Sequence, residues 1–254
     1  MRSTASIVTL ALVAFCAAAL ADDEGPRTGY YKKKMTITEV VGADSAAAMS
    51  SVFAPDDEVS WQLYVPKTYD ATKPAGVIVF LSPSERWGGS KKIYNPVLDR
   101  YNVIWAGITG AGDKQPVNER MMKAIMTPTM LAQQYALDPE RVFIGGFSGG
   151  AQVAMILSTG KPELFRGGLF VGGAVFWEDN VPPKLEQIQR NRFVFVTGSN
   201  DPAQNMVRRT ALAYKDAGVN ESRLIVMPNQ RQEMPGPKTL EEGIAWLLGE
   251  VPPE

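Results

Sequence analysis

Val142-Phe143-Ile144-Gly145-Gly146-Phe147-Ser148-Gly149-Gly150-Ala151-Gln152-Val153 is the stretch that decides the fold. Val142 to Ile144 is a short apolar run of the kind found in strands buried on both faces. Gly146-Phe147-Ser148-Gly149-Gly150 follows at once, and Ala151 to Leu157 continues with helical periodicity. Gly-x-Ser-x-Gly alone is weak, but a strand–turn–helix setting gives it a mechanical meaning. The serine occupies the tip of a tight, strained turn, and the flanking glycines leave room where side chains would collide. Ser148 is then held out as a nucleophile, with the Gly149 amide aimed at a developing oxyanion.

Outward from this turn, apolar strands alternate with helical stretches. Strands are expected at Met35 to Val41, Val59 to Val65, Val77 to Leu81, Val103 to Ile108, Leu169 to Val171, Phe193 to Val196 and Leu224 to Val226. Helices are expected from about Asn118 to Tyr135, Ala203 to Ala217 and Thr239 to Leu248, with Asp138-Pro139-Glu140-Arg141 as a turn into the central strand. Ala43 to Ser51 carries little structural signal. Buried strands alternating with helices predict an α/β fold, with a mostly parallel central sheet and helices on both faces. No repeat, low-complexity tract or linker divides residues 35–254, which read as a single domain.

The chain begins with Arg2, an apolar run from Ile7 to Leu20, and Ala19-Leu20-Ala21 before Asp22-Asp23-Glu24. That pattern predicts a signal peptide over residues 1–21, cleaved after Ala21, and a secreted or periplasmic product. The run is too short for a membrane span of roughly 20 residues. A lipid anchor on Cys16 is disfavoured by the bulky Phe15 before it. Residues 22–34 read as a loose polar segment. About 230 residues then remain, enough for one α/β domain with a full core.

Composition excludes several functions. Cys16 is the one cysteine and there is no histidine, so zinc, copper and haem sites with the usual ligands have no donors. No metal and no cofactor is expected. With 26 basic against 27 acidic residues, the chain lacks the positive balance of a nucleic-acid binder. Lys32-Lys33-Lys34 and Lys91-Lys92 read as solvated surface. Nothing in the sequence sets an oligomeric state.

The chain resembles the α/β-hydrolase superfamily, in its secreted polyhydroxybutyrate-depolymerase and esterase-like branch, from about Val77 to Leu248. The likeness rests on Asp138-Pro139-Glu140-Arg141 before the serine turn, Phe165-Arg166-Gly167 after the next helix, and Val226-Met227-Pro228 followed by Glu233-Met234-Pro235. It implies a Ser–acid–His triad in that order, with Asp201 of Thr197-Gly198-Ser199-Asn200-Asp201 as the acid. A helix cap before Pro202 is the second reading of Asp201. The imidazole belongs in Pro228-Asn229-Gln230-Arg231-Gln232-Glu233, and Gln232 stands in its place. An amide there can hydrogen-bond both Ser148 and Asp201, but it accepts no proton at neutral pH.

Losing the base of such a triad costs on the order of 10⁶ in turnover, roughly 8 kcal/mol of transition-state stabilisation. Two readings follow. In one, an impaired serine hydrolase is retained to bind a small or polymeric ester, an acylated carbohydrate or a partner. In the other, Ser148 works with a base other than histidine. A second oxyanion donor is expected in Ser82-Pro83-Ser84, from Ser84 or, second, from Ser82, since Pro83 lacks an amide hydrogen. Trp87 and Trp177 follow strand ends, where open α/β sheets bind ligands, and either line that site or fill loops. Trp61, Trp105 and Trp246 are expected in the core.

Overall fold

The computed structural model describes residues 26–178 and 180–251. The expected signal segment and its cleavage site lie outside them. Eight strands form one sheet: β1 (Gly29–Thr36), β2 (Glu58–Val65), β3 (Ala75–Leu81), β4 (Val103–Thr109), β5 (Leu137–Phe147), β6 (Gly167–Val171), β7 (Arg192–Gly198) and β8 (Ser222–Met227). Their order is β1-β2-β4-β3-β5-β6-β7-β8. β1–β2 and β2–β4 pair antiparallel, and every other neighbour is parallel.

All seven residues of β3 are buried, so its two faces meet different cores. Val77, Val79 and Leu81 join one apolar cluster, while Ile78 and Phe80 join the other. The first face is covered by α1 (Ile37–Val41), α4 (Val117–Ala132), α5 (Gly149–Gly160) and α7 (Gln204–Asp216). The second is covered by α3 (Asn95–Tyr101) and α8 (Pro237–Leu248). The short helices α2 (Ala43–Ala48) and α6 (Leu185–Ile188) complete the set. A sheet buried on both faces is what continuous apolar strands require. Among the described residues, no helix is long and apolar enough to cross a membrane.

Three expectations need correction. Residues 29–34 are not loose, because they belong to the edge strand β1, with Tyr31 facing inward and its hydroxyl 2.5 Å from that of Tyr135. The strand expected at Met35 to Val41 ends at Thr36, where a capping box starts α1. The Thr36 hydroxyl accepts from the Glu39 amide and the Glu39 carboxylate accepts from the Thr36 amide. Asp138 to Arg141 does not precede β5 but lies within it. Ala75 pairs with Leu137 and Val77 with Val142, so the extra residues bulge out of the ladder.

Trp61 and Trp105 are fully buried, while Trp246 is half-buried, with the Arg223 guanidinium 5.2 Å above its ring. The Trp61 indole N–H donates to Thr127 Oγ1 at 2.9 Å, tying β2 to α4. Thr127 in turn donates to the Lys123 carbonyl, one turn before Pro128. Trp61→Phe removes this bond and leaves a small void. It should cost about 1–2 kcal/mol, read as a fall of roughly 2–8 °C in melting temperature.

Candidate functional site

The serine turn forms as the sequence requires. Ser148 lies between β5 and α5 at φ 52° and ψ −121°, a conformation that a residue with a β-carbon adopts only under constraint. Its amide donates to the Val171 carbonyl of β6 at 2.9 Å. A β-carbon on Gly146 would lie 2.6 Å from the Ala151 nitrogen, and one on Gly150 would lie 2.5 Å from the Leu81 carbonyl carbon. The turn is thus wedged between its own helix and the end of β3. Only glycine fits at either position. Ser148 itself is half-buried.

Asp201 is 5% exposed. Its Oδ1 accepts from the Ala203 amide at 2.7 Å and its Oδ2 from the Thr197 hydroxyl at 3.0 Å. The first bond closes a turn over two residues just ahead of α7; the N-cap of that helix is Ala203 and no side chain caps it, so Asp201 is not the helix cap that the sequence also allowed. The loop after β8 docks beside it, where the Asn200 amide donates to the Gln230 carbonyl at 2.8 Å. This loop carries Gln232 to the site. Its amide does not bridge Ser148 and Asp201 as expected. Nε2 instead donates to the Gly172 carbonyl at 2.5 Å, and the side chain stays largely exposed.

Gly172 and Gly173 form the strip on which these groups converge. A β-carbon on Gly172 would lie 2.8 Å from Gln232 Cγ and 3.4 Å from Asp201 Oδ2. One on Gly173 would lie 2.8 Å from the Ser148 carbonyl carbon. The serine, the carboxylate and the glutamine therefore surround one pair of side-chain-free residues at the end of β6. This Gly-Gly pair, directly after a buried strand, is the sign in the sequence of a close backbone approach at this point.

Asp113 was not among the expected site residues. A β-carbon on Gly149 would lie 2.5 Å from Asp113 Oδ2 and 2.6 Å from its Cγ, so the carboxylate fills the space that the glycine leaves. The Asp113 amide donates to the Pro83 carbonyl at 3.0 Å, joining the loop after β4 to the loop after β3. Arg120, 4% exposed, places Nη2 3.0 Å from Asp113 Oδ1 and donates from Nε to the Ala111 carbonyl at 2.9 Å. The legible signal was a third glycine where Gly-x-Ser-x-Gly permits any residue.

The remaining assignments are less convergent. The Ser84 amide donates to Ser82 Oγ at 3.1 Å, so it must leave that bond before it can serve an oxyanion. Trp87 meets Phe80 edge-on with ring centres 6.2 Å apart, whereas Trp177 packs 4.9 Å from the Tyr214 ring. Phe80 and Tyr214 lie in the cores of opposite sheet faces, so the two tryptophans build no common wall.

The fold matches solved structures. The S-formylglutathione hydrolase FrmB from Staphylococcus aureus aligns at a TM-score of 0.60 and 8% identity, over 89% of this chain and 98% of that one. The fold is that of the α/β-hydrolases. A thermophilic esterase from Thermogutta terrifontis, with propionate bound, aligns at 0.57 and 12% identity over 87% and 96% of the two chains. A thermostable esterase aligns at 0.58 and 16% identity over 79% of this chain, which spans 54% of its length. No family model and no curated protein matches the sequence. Ser148 follows β5, Asp201 follows β7 and Gln232 follows β8 in this chain.

Proposed function

We propose that this protein is a serine-hydrolase-like member of the esterase and depolymerase lineage, exported from the cytoplasm, that binds an ester, polyester or acylated carbohydrate with little turnover. The observation that carries this reading is the Gln232 amide on the Gly172 carbonyl, beside Asp201, in a chain without histidine. Ser148 and the Gly149 amide then supply a nucleophile position and an oxyanion donor, but nothing of imidazole type takes the serine proton. An oxyanion hole and binding alone leave about 10³–10⁴ over water. Incubation with a fluorophosphonate and with a short activated ester tests the reading. Labelling of Ser148 should be slow, and hydrolysis should be far below ordinary esterase rates. Fast stoichiometric labelling would overturn it.

One observation favours a second reading, a working hydrolase with a carboxylate base: Asp113 lies against the residue that follows Ser148. Asp113→Asn separates the two. If the carboxylate is the base, the variant loses Ser148-dependent hydrolysis. In the lead reading the slow rate is kept or rises a few-fold, because a negative charge next to the oxyanion position is removed. We expect the second outcome, since Arg120 already holds Asp113 Oδ1. Export is tested by sequencing the N-terminus of the native protein, which should begin at Asp22. Recovery of a chain that retains Met1 would refute that part alone.

A further inference from the structure

A cavity of about 780 Å³ opens at the amino ends of β5, β6 and β7, the opposite end of these strands from Ser148. It is not the hydrolase cleft, because open α/β sheets present that site beyond the carboxyl ends of their strands. Its lining holds five cationic side chains and only two carboxylates, Glu140 and Glu186. Such a balance is unusual in a chain whose basic and acidic residues nearly cancel.

The cations differ in how far they are committed. Arg192 is structural, pairing with Glu221 at 2.9 Å and donating to the Trp246 carbonyl at 3.2 Å. Lys184 pairs with Glu163 at 2.8 Å. Arg141 spends one N–H on the Tyr101 carbonyl at 2.5 Å. Arg190 has no carboxylate within ion-pair distance among the described residues. Arg166 is the telling one. Its Nη2 lies 2.8 Å from Glu140, whose side chain is 70% exposed, while its Nε is buried and finds no acceptor. A buried donor without an acceptor is held at a cost that a ligand oxygen would remove. An exposed ion pair contributes little to stability and is readily exchanged for a ligand oxygen.

We propose that this cavity is a binding site for a compact polyvalent oxyanion, of carboxylate or phosphate type. The Arg166 guanidinium would receive it through Nη2 as the exposed Glu140 gives way, and a shift of the side chain toward the ligand would then bring the unpartnered Nε to a second oxygen of the same group. Arg141, Arg190 and Lys184 would take the remaining charge. The site is independent of the chemistry at Ser148.

Calorimetric titration of the full chain with citrate and, separately, with tripolyphosphate tests this at physiological salt. Saturable one-to-one binding with a Kd of about 1 mM or tighter is expected for at least one probe, and the tighter probe identifies the acid type. Raising the salt should weaken it. The double variant Arg166→Gln, Arg190→Gln should lose about tenfold or more in affinity. Glu140→Gln, on an exposed side chain, should instead tighten binding by freeing Nη2, which guards against a misfolded double variant. Ser148→Ala should bind like the natural chain. The proposal is overturned if neither probe saturates by 10 mM, or if all variants bind alike.

Discussion

Gln232→His is expected to raise Ser148-dependent hydrolysis of a short activated ester by at least about 10²-fold. The gain has a geometric basis. A β-carbon on Gly172 would meet both Gln232 Cγ, at 2.8 Å, and Asp201 Oδ2, at 3.4 Å, so the two side chains approach one point. A ring set with Nδ1 toward the carboxylate leaves Nε2 to take the serine proton. Asp201 then fixes the tautomer and stabilises the imidazolium formed when Ser148 gives up its proton. Recovery should stop short of an ordinary esterase. Asp201 Oδ2 already accepts from Thr197, and the Ser84 amide is spent on Ser82 Oγ. A misplacement of about 1 Å can alone cost on the order of 10²-fold. Adding Ser148→Ala should erase the gain. No increase in rate, or an increase that survives without Ser148, would show that the Gln232 loop is not the base loop.

What the sequence made legible was whatever depended on local periodicity and on obligatory glycines. The apolar runs of β3, β4 and β7 have no polar face to confuse their reading, and each is buried as expected. The serine turn was readable because Gly146 and Gly150 are each required by a backbone contact. β1 was hidden because its outward face carries Lys32 and Lys34, charges that protect an edge strand from pairing with another chain. The Thr36 to Glu39 capping box was written in the sequence and went unread. The partners of Gln232 and the place of Asp113 depend on loops far apart in the chain. Residue 113 reaches residue 149 only because β3 brings the loop after β4 alongside the elbow, and no local pattern encodes that meeting.

The elbow should answer to two substitutions with opposite signs. Gly146→Ala forces a β-carbon into the backbone of Gly150 and Ala151, where no side chain can rotate away. Overpacking of this kind costs about 3 kcal/mol at the upper end of its usual range, or a fall of roughly 6–12 °C in melting temperature. Ser148→Gly acts on the same turn without adding an atom. A non-glycine residue at φ 52° and ψ −121° stores on the order of 1–3 kcal/mol. Glycine removes that strain, but loses more backbone freedom on folding, worth about 0.5–1 kcal/mol. A net stabilisation of about 1 kcal/mol should remain, readable by thermal melting of the two variants beside the natural chain. This contrast bears on function as well as stability. The turn keeps a serine in a costly conformation even though no histidine is present to use it. If Ser148→Gly instead destabilises as much as Gly146→Ala, the turn in solution is relaxed, and Ser148 is not presented as a nucleophile. If the signs differ as expected, the elbow remains built for chemistry and the missing imidazole is the defect that Gln232→His addresses.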